Sequence, residues 1–249
     1  GVGGAMVSGY KRALLDGADI IVKVDGDGQM NPSEIERLIR PIVSGVADYT
    51  KGNRFYNLNS LSSMPKVRLY GNVALSFLSK LSTGYWHIFD PTNGFTAIHS
   101  KVLGIMPLEK INKRYFFETD IMFNLNILNA AIMDIPMEAK YEDEESSMRI
   151  KDILVSFPFL HLKILSKRLF YNYFLRNFSI ASINLIFGLI SIFYGILYGF
   201  MHLPDGGENA PAGVVMMAAL PIIVGVQLLL SFINYDMTSR EITPLYLKL

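Results

Sequence analysis

The chain has 249 residues, of which 51% are hydrophobic, and its mean hydropathy of +0.30 is high for a wholly soluble domain. Its 23 Lys+Arg nearly balance its 22 Asp+Glu, so net charge carries no signal for nucleic acid, and no nucleic-acid partner is expected. It has no cysteine, which excludes disulfides, zinc–thiolate sites and cysteine nucleophiles.

Gly1 to Gly9 lacks the charged and long apolar regions of a secretory signal, and its glycine cluster reads as the interior of a domain; a preceding segment is expected. Ala5 to Leu15 reads as an amphipathic helix ended by Asp16-Gly17, and Ile20 to Val24 as a short strand rich in β-branched residues. Asn31-Pro32-Ser33 starts another helix, with Glu34 and Glu36 near the positive end of its dipole. Ala47 to Lys51 predicts a strand, Val67 to Leu81 and Glu118 to Ala130 predict helices, and Ile132 to Ala139 predicts a strand that Pro136 places at an edge or bends. Strands alternating with helices point to an α/β sheet.

The character changes after about Arg149. Ile150 to Asn177 carries Lys151, Lys163, Lys167, Arg168 and Arg176 against the single acid Asp152, interleaved with aromatic and aliphatic residues. This is the composition of helices lying in a membrane interface, with Pro158 separating two pieces; the plainer alternative is an amphipathic helix packed on the sheet. Phe178 to Phe200 and Gly213 to Ile233 carry no charge, and the first of them would extend roughly 34 Å as a helix, enough for a hydrocarbon core. The intervening residues include Asp205 and Glu208 but no Lys or Arg, whereas basic residues precede the first stretch and Arg240 and Lys248 follow the second. The bias of positive charge puts both ends of this hairpin, and the first half of the chain, in the cytoplasm. A buried helical hairpin of a soluble protein is the rival. Asn184 and Gln227, within the spans, are placed to bond across helices.

Asp25-Gly26-Asp27 closes the first strand. If the strand continues, both carboxylates point to one side and offer oxygen ligands to Mg2+ or Mn2+, with Gln29 adding an amide oxygen. The plainer reading is a solvated turn. A calcium loop is another rival, with Asp25, Asp27 and Glu36 at its positions one, three and twelve, but Met30 stands where that loop needs glycine and a strand precedes instead of a helix. His87, His99, His161 and His202 have no ligand spacing and receive no role.

The run Ile21-Val22-Lys23-Val24-Asp25-Gly26-Asp27-Gly28-Gln29-Met30-Asn31-Pro32 resembles the strand and Asp-x-Asp segment of family 2 glycosyltransferases with a GT-A fold. Gly1-Val2-Gly3-Gly4-Ala5 resembles the glycine-rich turn before it, Asp90-Pro91-Thr92-Asn93-Gly94-Phe95 the acceptor-side loop, and Phe117-Glu118-Thr119-Asp120 the Glu-x-Asp or Glu-Asp segment. With two C-terminal spans, the chain is most similar to the polyprenyl-phosphate glycosyltransferases of the dolichol-phosphate mannosyltransferase type. The family's first strands, which hold most nucleotide-base contacts, have no counterpart here. The resemblance implies an α/β, Rossmann-like GT-A domain over residues 1–149, N-terminally truncated. Interfacial helices over 150–177, a transmembrane hairpin over 178–238 and a cytoplasmic tail over 239–249 would follow.

The resemblance further implies inverting transfer of one sugar from a nucleoside-diphosphate sugar to a membrane polyprenyl phosphate. A divalent ion on Asp25, Asp27 and Gln29 would neutralise the departing diphosphate, and Gly3, Gly4, Asp25, Asn93 and Gly94 would lie on the donor side. Asp120 matches the family's candidate base, either removing a residual proton or orienting the acceptor. Glu118 is either a participant or a first-turn acid favoured by the helix dipole. Arg54, Arg68 and Arg149 match arginines that the subgroup uses near its acceptor phosphate, where guanidinium forks bind two oxygens. The family's Gly-Ser-Lys run after the last arginine is absent. The rivals are a processive polysaccharide synthase, whose Gln-x-x-Arg-Trp motif is missing after the acidic segment, and a non-catalytic membrane scaffold. The sugar, the base, the lipid length and the oligomeric state, a homo-oligomer included, stay open.

Overall fold

A computed structural model describes residues 1–28, 30–56, 66–137, 150–202, 210–239 and 243–249, with backbone alone at 66–68 and 150–155. Gln29, Arg149, Asp205, Glu208 and Arg240 lie outside the described residues, as does the side chain of Arg68. The chain divides into two compact units: Gly1–Arg168 with Glu241–Leu249, and Leu169–Arg240.

The first unit is built on a mixed sheet of β1 (Ile20–Lys23), β2 (Tyr49–Asn53), β3 (Thr96–His99) and β4 (Ile132–Pro136), in the order β1-β3-β2-β4. β3 runs antiparallel to both β1 and β2, whereas β2 and β4 are parallel. Alternation sorts the strand residues between two faces. Ile21, Tyr49, Ile98 and Ile132 join a core with Tyr10 of α1 (Val2–Leu15), Val102 of α4 (Ser100–Ile105) and Ile121 and Leu125 of α5 (Phe117–Ile127). Val22, Ala97 and Ile135 join the other core with Leu38 and Ile42 of α2 (Ile35–Val43). β3 and α4 escaped the sequence reading because Thr96–His99 is only four residues long and follows a Pro/Asn/Gly loop. β4 is the edge strand that Pro136 requires, since proline lacks the N–H that an inner strand must donate.

The glycine cluster expected as a turn is instead the first turn of α1. Gly4 N donates to Lys113 O at 3.2 Å, and a Cβ on Gly3 would collide with Asn112 O and lie 2.7 Å from Phe117 Cβ. Glycine is there because the helix must approach the 112–117 segment closely.

The helix α3 (Lys66–Thr83) packs against α6 (Ile150–Phe170), which runs unbroken through Pro158 where two pieces were expected. Proline removes one helical hydrogen bond, yet the helix continues past it. His161 Nδ1 meets Ser82 Oγ at 2.7 Å, and Arg168, fully buried, donates to Leu81 O at 3.0 Å near the negative end of α3. The opposite side of α6 exposes Phe159, Leu162, Lys163 and Lys167.

In the second unit, α7 (Ile180–Met201) lies within two residues of the span expected at 178–200, and α8 (Ala212–Thr238) contains the one expected at 213–233. Glycines let their backbones meet: a Cβ on Gly195 would lie 2.5 Å from Ala218 O, and one on Gly225 would lie 2.8 Å from Gly188 O. Asn184 Nδ2 donates across the pair to Ser231 Oγ at 3.1 Å. Outward residues such as Phe193, Phe200, Ile223 and Leu230 are exposed, so the hairpin has an apolar exterior.

After the hairpin, the chain returns to the first unit. Asp48, fully buried at the start of β2, accepts from Ala131 N at 2.7 Å and from Leu245 N and Tyr246 N at 2.8 Å. Tyr246 stacks on His99 at 4.0 Å and donates to Ile42 O at 2.6 Å. Asp48→Ala strands these backbone donors. It should lower stability by at least about 3 kcal/mol, read as a lower apparent melting temperature in detergent with early proteolysis of the C-terminus. An unchanged melting temperature would exclude the tether.

Candidate active site

β1 and β2 end, and antiparallel β3 begins, at one edge of the sheet, so Asp25, Arg54, Asn93 and Gly94 are delivered together although they are distant in sequence. This is the edge at which open α/β sheets bind ligands. Asp48 and the returning C-terminus occupy the opposite edge.

The centre of the site is a buried charge cluster. Lys23 Nζ lies 2.7 Å from Asp25 Oδ1 and 3.2 Å from Glu118 Oε1; Lys51 Nζ lies 3.9 Å from Glu118 Oε2 and donates to Asn93 O. Lys51 is wholly buried, Lys23 nearly so, and Phe117 lies beneath the Lys23 ammonium at 5.5 Å. Two ammonium groups face two carboxylates, so the cluster is neutral as a whole. Burial pushes the Lys51 ammonium below the usual lysine range, opposed by Glu118 and Asp90. Burial likewise raises Glu118, opposed by Lys51 and Lys23.

Asn93 fixes the loop that faces this cluster. Its Nδ2 donates to Gly52 O at 2.7 Å and its Oδ1 accepts from Phe95 N at 3.0 Å. Any side chain on Gly94 would collide with Asp25 Oδ2 and Lys23 Nζ. Glycine lets the loop pass against Asp25 with the Lys23–Asp25 pair undisturbed.

Asp27 sits exposed in the turn beyond β1, ahead of Gly28 at φ 74°. The strand stops at Lys23, so alternation does not set how Asp25 and Asp27 face each other, and that step of the sequence argument fails. Among the described residues, no three His, Asp or Glu side chains gather as a metal cluster. Asp25 and Asp27 are an all-oxygen donor set that suits a hard divalent ion, and Asp25 Oδ2 faces the bare α-carbon of Gly94.

Asp120 and Glu118 diverge, because two residues turn a helix by about 200°. Asp120 Oδ2 accepts from Asn112 N at 2.8 Å. Burial raises its carboxyl, partly offset by that bond and by Lys167 and Lys163. Glu118, not Asp120, faces Asp25. Arg54 spends its fork on buried Asp90, through Nε at 2.7 Å and Nη2 at 2.9 Å, and Nη2 also reaches Thr92 Oγ1 at 3.3 Å. Arg68 stands in the first turn of α3. Gly3 and Gly4 contact the 112–117 segment, whose Phe117 links them to Lys23.

The sequence reading missed Lys23, Lys51 and Asp90 as site residues. A lysine inside the apolar run Ile20–Val24 was the available signal, since a charge buried in a strand needs a partner. Glu118→Gln leaves two buried ammonium groups short of a carboxylate and should cost about 3 kcal/mol or more. Asp120→Asn, which weakens one hydrogen bond, should cost about 1 kcal/mol. Thermal unfolding of the two variants checks the ranking, and equal losses would contradict it.

No family model matches the chain. It is 33% identical over 169 residues to a UDP-N-acetylglucosamine–dolichyl-phosphate N-acetylglucosaminyltransferase of Methanococcus voltae, covering 67% of this chain and 66% of the relative. It is 28% identical to an undecaprenyl-phosphate mannosyltransferase of Micrococcus luteus, over 55% of this chain and 56% of the relative. It is 27% identical to a polyprenol monophosphomannose synthase of Mycolicibacterium smegmatis, over 55% of this chain and 51% of the relative. The matched stretches thus span between half and about two thirds of these relatives. With its mixed α/β sheet and paired apolar helices, the chain belongs to the polyprenyl-phosphate group of the family 2 glycosyltransferases.

Proposed function

We propose that this chain is the greater part of a membrane enzyme that transfers a single sugar, with inversion, from a nucleoside-diphosphate sugar to a polyprenyl phosphate. The observation that carries the reading is Asp25 held by Lys23 against the bare α-carbon of Gly94, on the ligand-binding edge of the sheet. The relatives' printed functions supply the chemistry: each is named for a sugar transfer or a sugar–lipid phosphate product.

Asp25 and Asp27 would hold Mg2+ or Mn2+, with Gln29 as a further oxygen donor. When bound, the ion supplies Lewis-acid neutralisation of the departing diphosphate. Lys23 fixes the orientation of Asp25. Lys51, through Asn93 O, holds the loop that bears Gly94. Asn93 and Gly94, with Gly3 and Gly4 behind Phe117, form the donor side. The acceptor phosphate is anionic near neutral pH, its second pKa being about 6, so the demand on a general base is small. Asp120, with its raised affinity for a proton, either takes a residual proton or holds the 112–117 segment that orients the acceptor. Arg68 and Arg149 take the phosphate oxygens. Arg54 joins them only by leaving Asp90. The hairpin crosses the bilayer and the chain returns to Asp48, so the catalytic unit and the C-terminus share one face, which the charge bias assigns to the cytoplasm.

The test is to incubate the full-length membrane protein with polyprenyl phosphate and labelled nucleotide sugars, N-acetylglucosamine and mannose donors included, with and without Mn2+. Labelled lipid should form, and Asp27→Asn should lower the yield at least about 100-fold, a loss of roughly 3 kcal/mol of transition-state stabilisation. A labelled polymer in place of a lipid monosaccharide would mean a synthase. No labelled product with any donor would sink the reading.

A further inference from the structure

Resting on that reading, we infer that Asp134 is a positioning residue for the transfer, which ties the Phe89–Gly94 loop to the end of β2 so that the two sides of the site keep a fixed separation. Asp134 lies on edge strand β4, opposite Lys51 in the parallel register. Its Oδ2 accepts from Phe89 N at 3.0 Å and from Asn53 Nδ2 at 2.9 Å. One carboxylate oxygen thus joins the loop that ends in Asn93 and Gly94 to the strand end that leads into Arg54.

The surrounding contacts depend on this joint. Asn53 Oδ1 accepts from Phe55 N at 2.9 Å, and Phe55 meets Phe89 edge-on at 5.1 Å. The next residue, Asp90, grips Arg54 through both side chain and backbone N–H. Lys80 of α3 lies over the Phe89 ring at 4.9 Å. If Phe89 N is released, the loop loses its one backbone bond to Asp134 and leans on the contacts of Asp90, Thr92 and Asn93 with the end of β2.

Asp134 Oδ1 is buried with no hydrogen-bond partner among the described residues. Such an atom is costly as an anion, and burial pushes the carboxyl up to about 6, opposed by Phe89 N–H, Lys51 and Asn53 and reinforced by Asp90. The titratable groups around it are Tyr49 and Lys51 on β2, Asp90 and His87 on the loop, Lys80 on α3, and Arg54 through Asp90. Ionised, Asp134 makes two charge-assisted bonds; protonated, it is a weaker acceptor. The clamp therefore loosens as pH falls through about 6. Stability has the opposite sign. Between the ordinary value of 3.8 and about 6, the folded chain binds more protons at this site than the unfolded chain. The Asp134 contribution to stability therefore falls as pH rises across that window.

The experiment compares the full-length protein with Asp134→Asn, which keeps the shape and one acceptor but neither the charge nor the titration. The wild type should show an acid limb of transfer near pH 6. The variant should keep only the part of that limb that titration of the acceptor phosphate supplies, show kcat lowered about tenfold to hundredfold, and have a flatter stability profile between pH 4 and 6. Hydrogen exchange over residues 85–95 reads the clamp without any activity: in the wild type, protection should fall below pH 6 after correction for intrinsic rates. Wild-type kcat with an unchanged acid limb in the variant, or exchange protection indifferent to pH, would overturn the assignment. A wild type that makes no labelled lipid at any pH, with exchange behaving as expected, would instead sink the proposed transfer while leaving the clamp standing.

Discussion

The first unit is organised around two lysines that cannot be left alone. Lys23 and Lys51 carry their ammonium groups into the interior, on neighbouring regions of the sheet, and Glu118 lies between them. A buried charge deprived of its partner costs several kcal/mol, comparable to the net stability of a domain. Pairing both lysines with Glu118 brings together the end of β1, the end of β2 and the first turn of α5. Asp25 completes the balance from the outside, and Asn93 O accepts a hydrogen bond from Lys51. The candidate site therefore follows from satisfying charge: once Lys23 and Lys51 are paired, Asp25 and the Asn93–Gly94 loop have little freedom.

The opposite edge of the sheet is fixed by one acid. Asp48 gathers backbone N–H groups from Ala131 and from the returning C-terminus, so β2 is held at its start by Asp48 and at its end by Lys51, Asn53 and Arg54. α6, from which the chain enters the hairpin, is tied to α3 through His161 and Arg168. Burial pushes the His161 imidazole down to about 4, so it stays neutral at physiological pH and packs between Phe116 and Phe157 as an aromatic. Both the departure to the hairpin and the return from it are thus anchored within the first unit.

How far the sequence could be read depended on range. Apolar spacing gave α1, α3 and α5 to within a few residues, because an apolar stripe is a local signal, whereas the six-residue α4 was too short to show one. β1 and β2 were legible from their β-branched and apolar content, and the edge position of β4 from Pro136. β3 was not: its pairing partners lie more than 40 residues upstream, and four residues cannot establish a period. The site divided along the same line. Asp25 was legible from the acidic pair that closes β1, and Asn93 and Gly94 from a resemblance, whereas the partnership of Glu118 with two lysines, the capture of Arg54 by Asp90 and the contacts of Asp134 are long-range and without a local pattern. Asp120 illustrates the cost. The spacing of Glu118 and Asp120 was visible, but only the packing of α5 decides which acid faces Asp25 and which faces Asn112.

The hairpin obeys different physics. Its two helices approach through Gly188, Gly195 and Gly225 and through the Asn184–Ser231 bond, so close backbone packing and a polar contact hold them together. That is how helices associate where the surrounding medium is as apolar as their own side chains. In water the same outward row of Phe, Ile and Leu would be a large contiguous apolar patch with every reason to aggregate. A pair with glycines on its interior and large apolar side chains on its exterior suits an apolar medium. The neutral charge cluster has the opposite requirement, since Lys23, Asp25 and Glu118 need the polar edge of a sheet. The chain thus combines a unit whose charges need a polar sheet edge with a helix pair whose exterior is apolar.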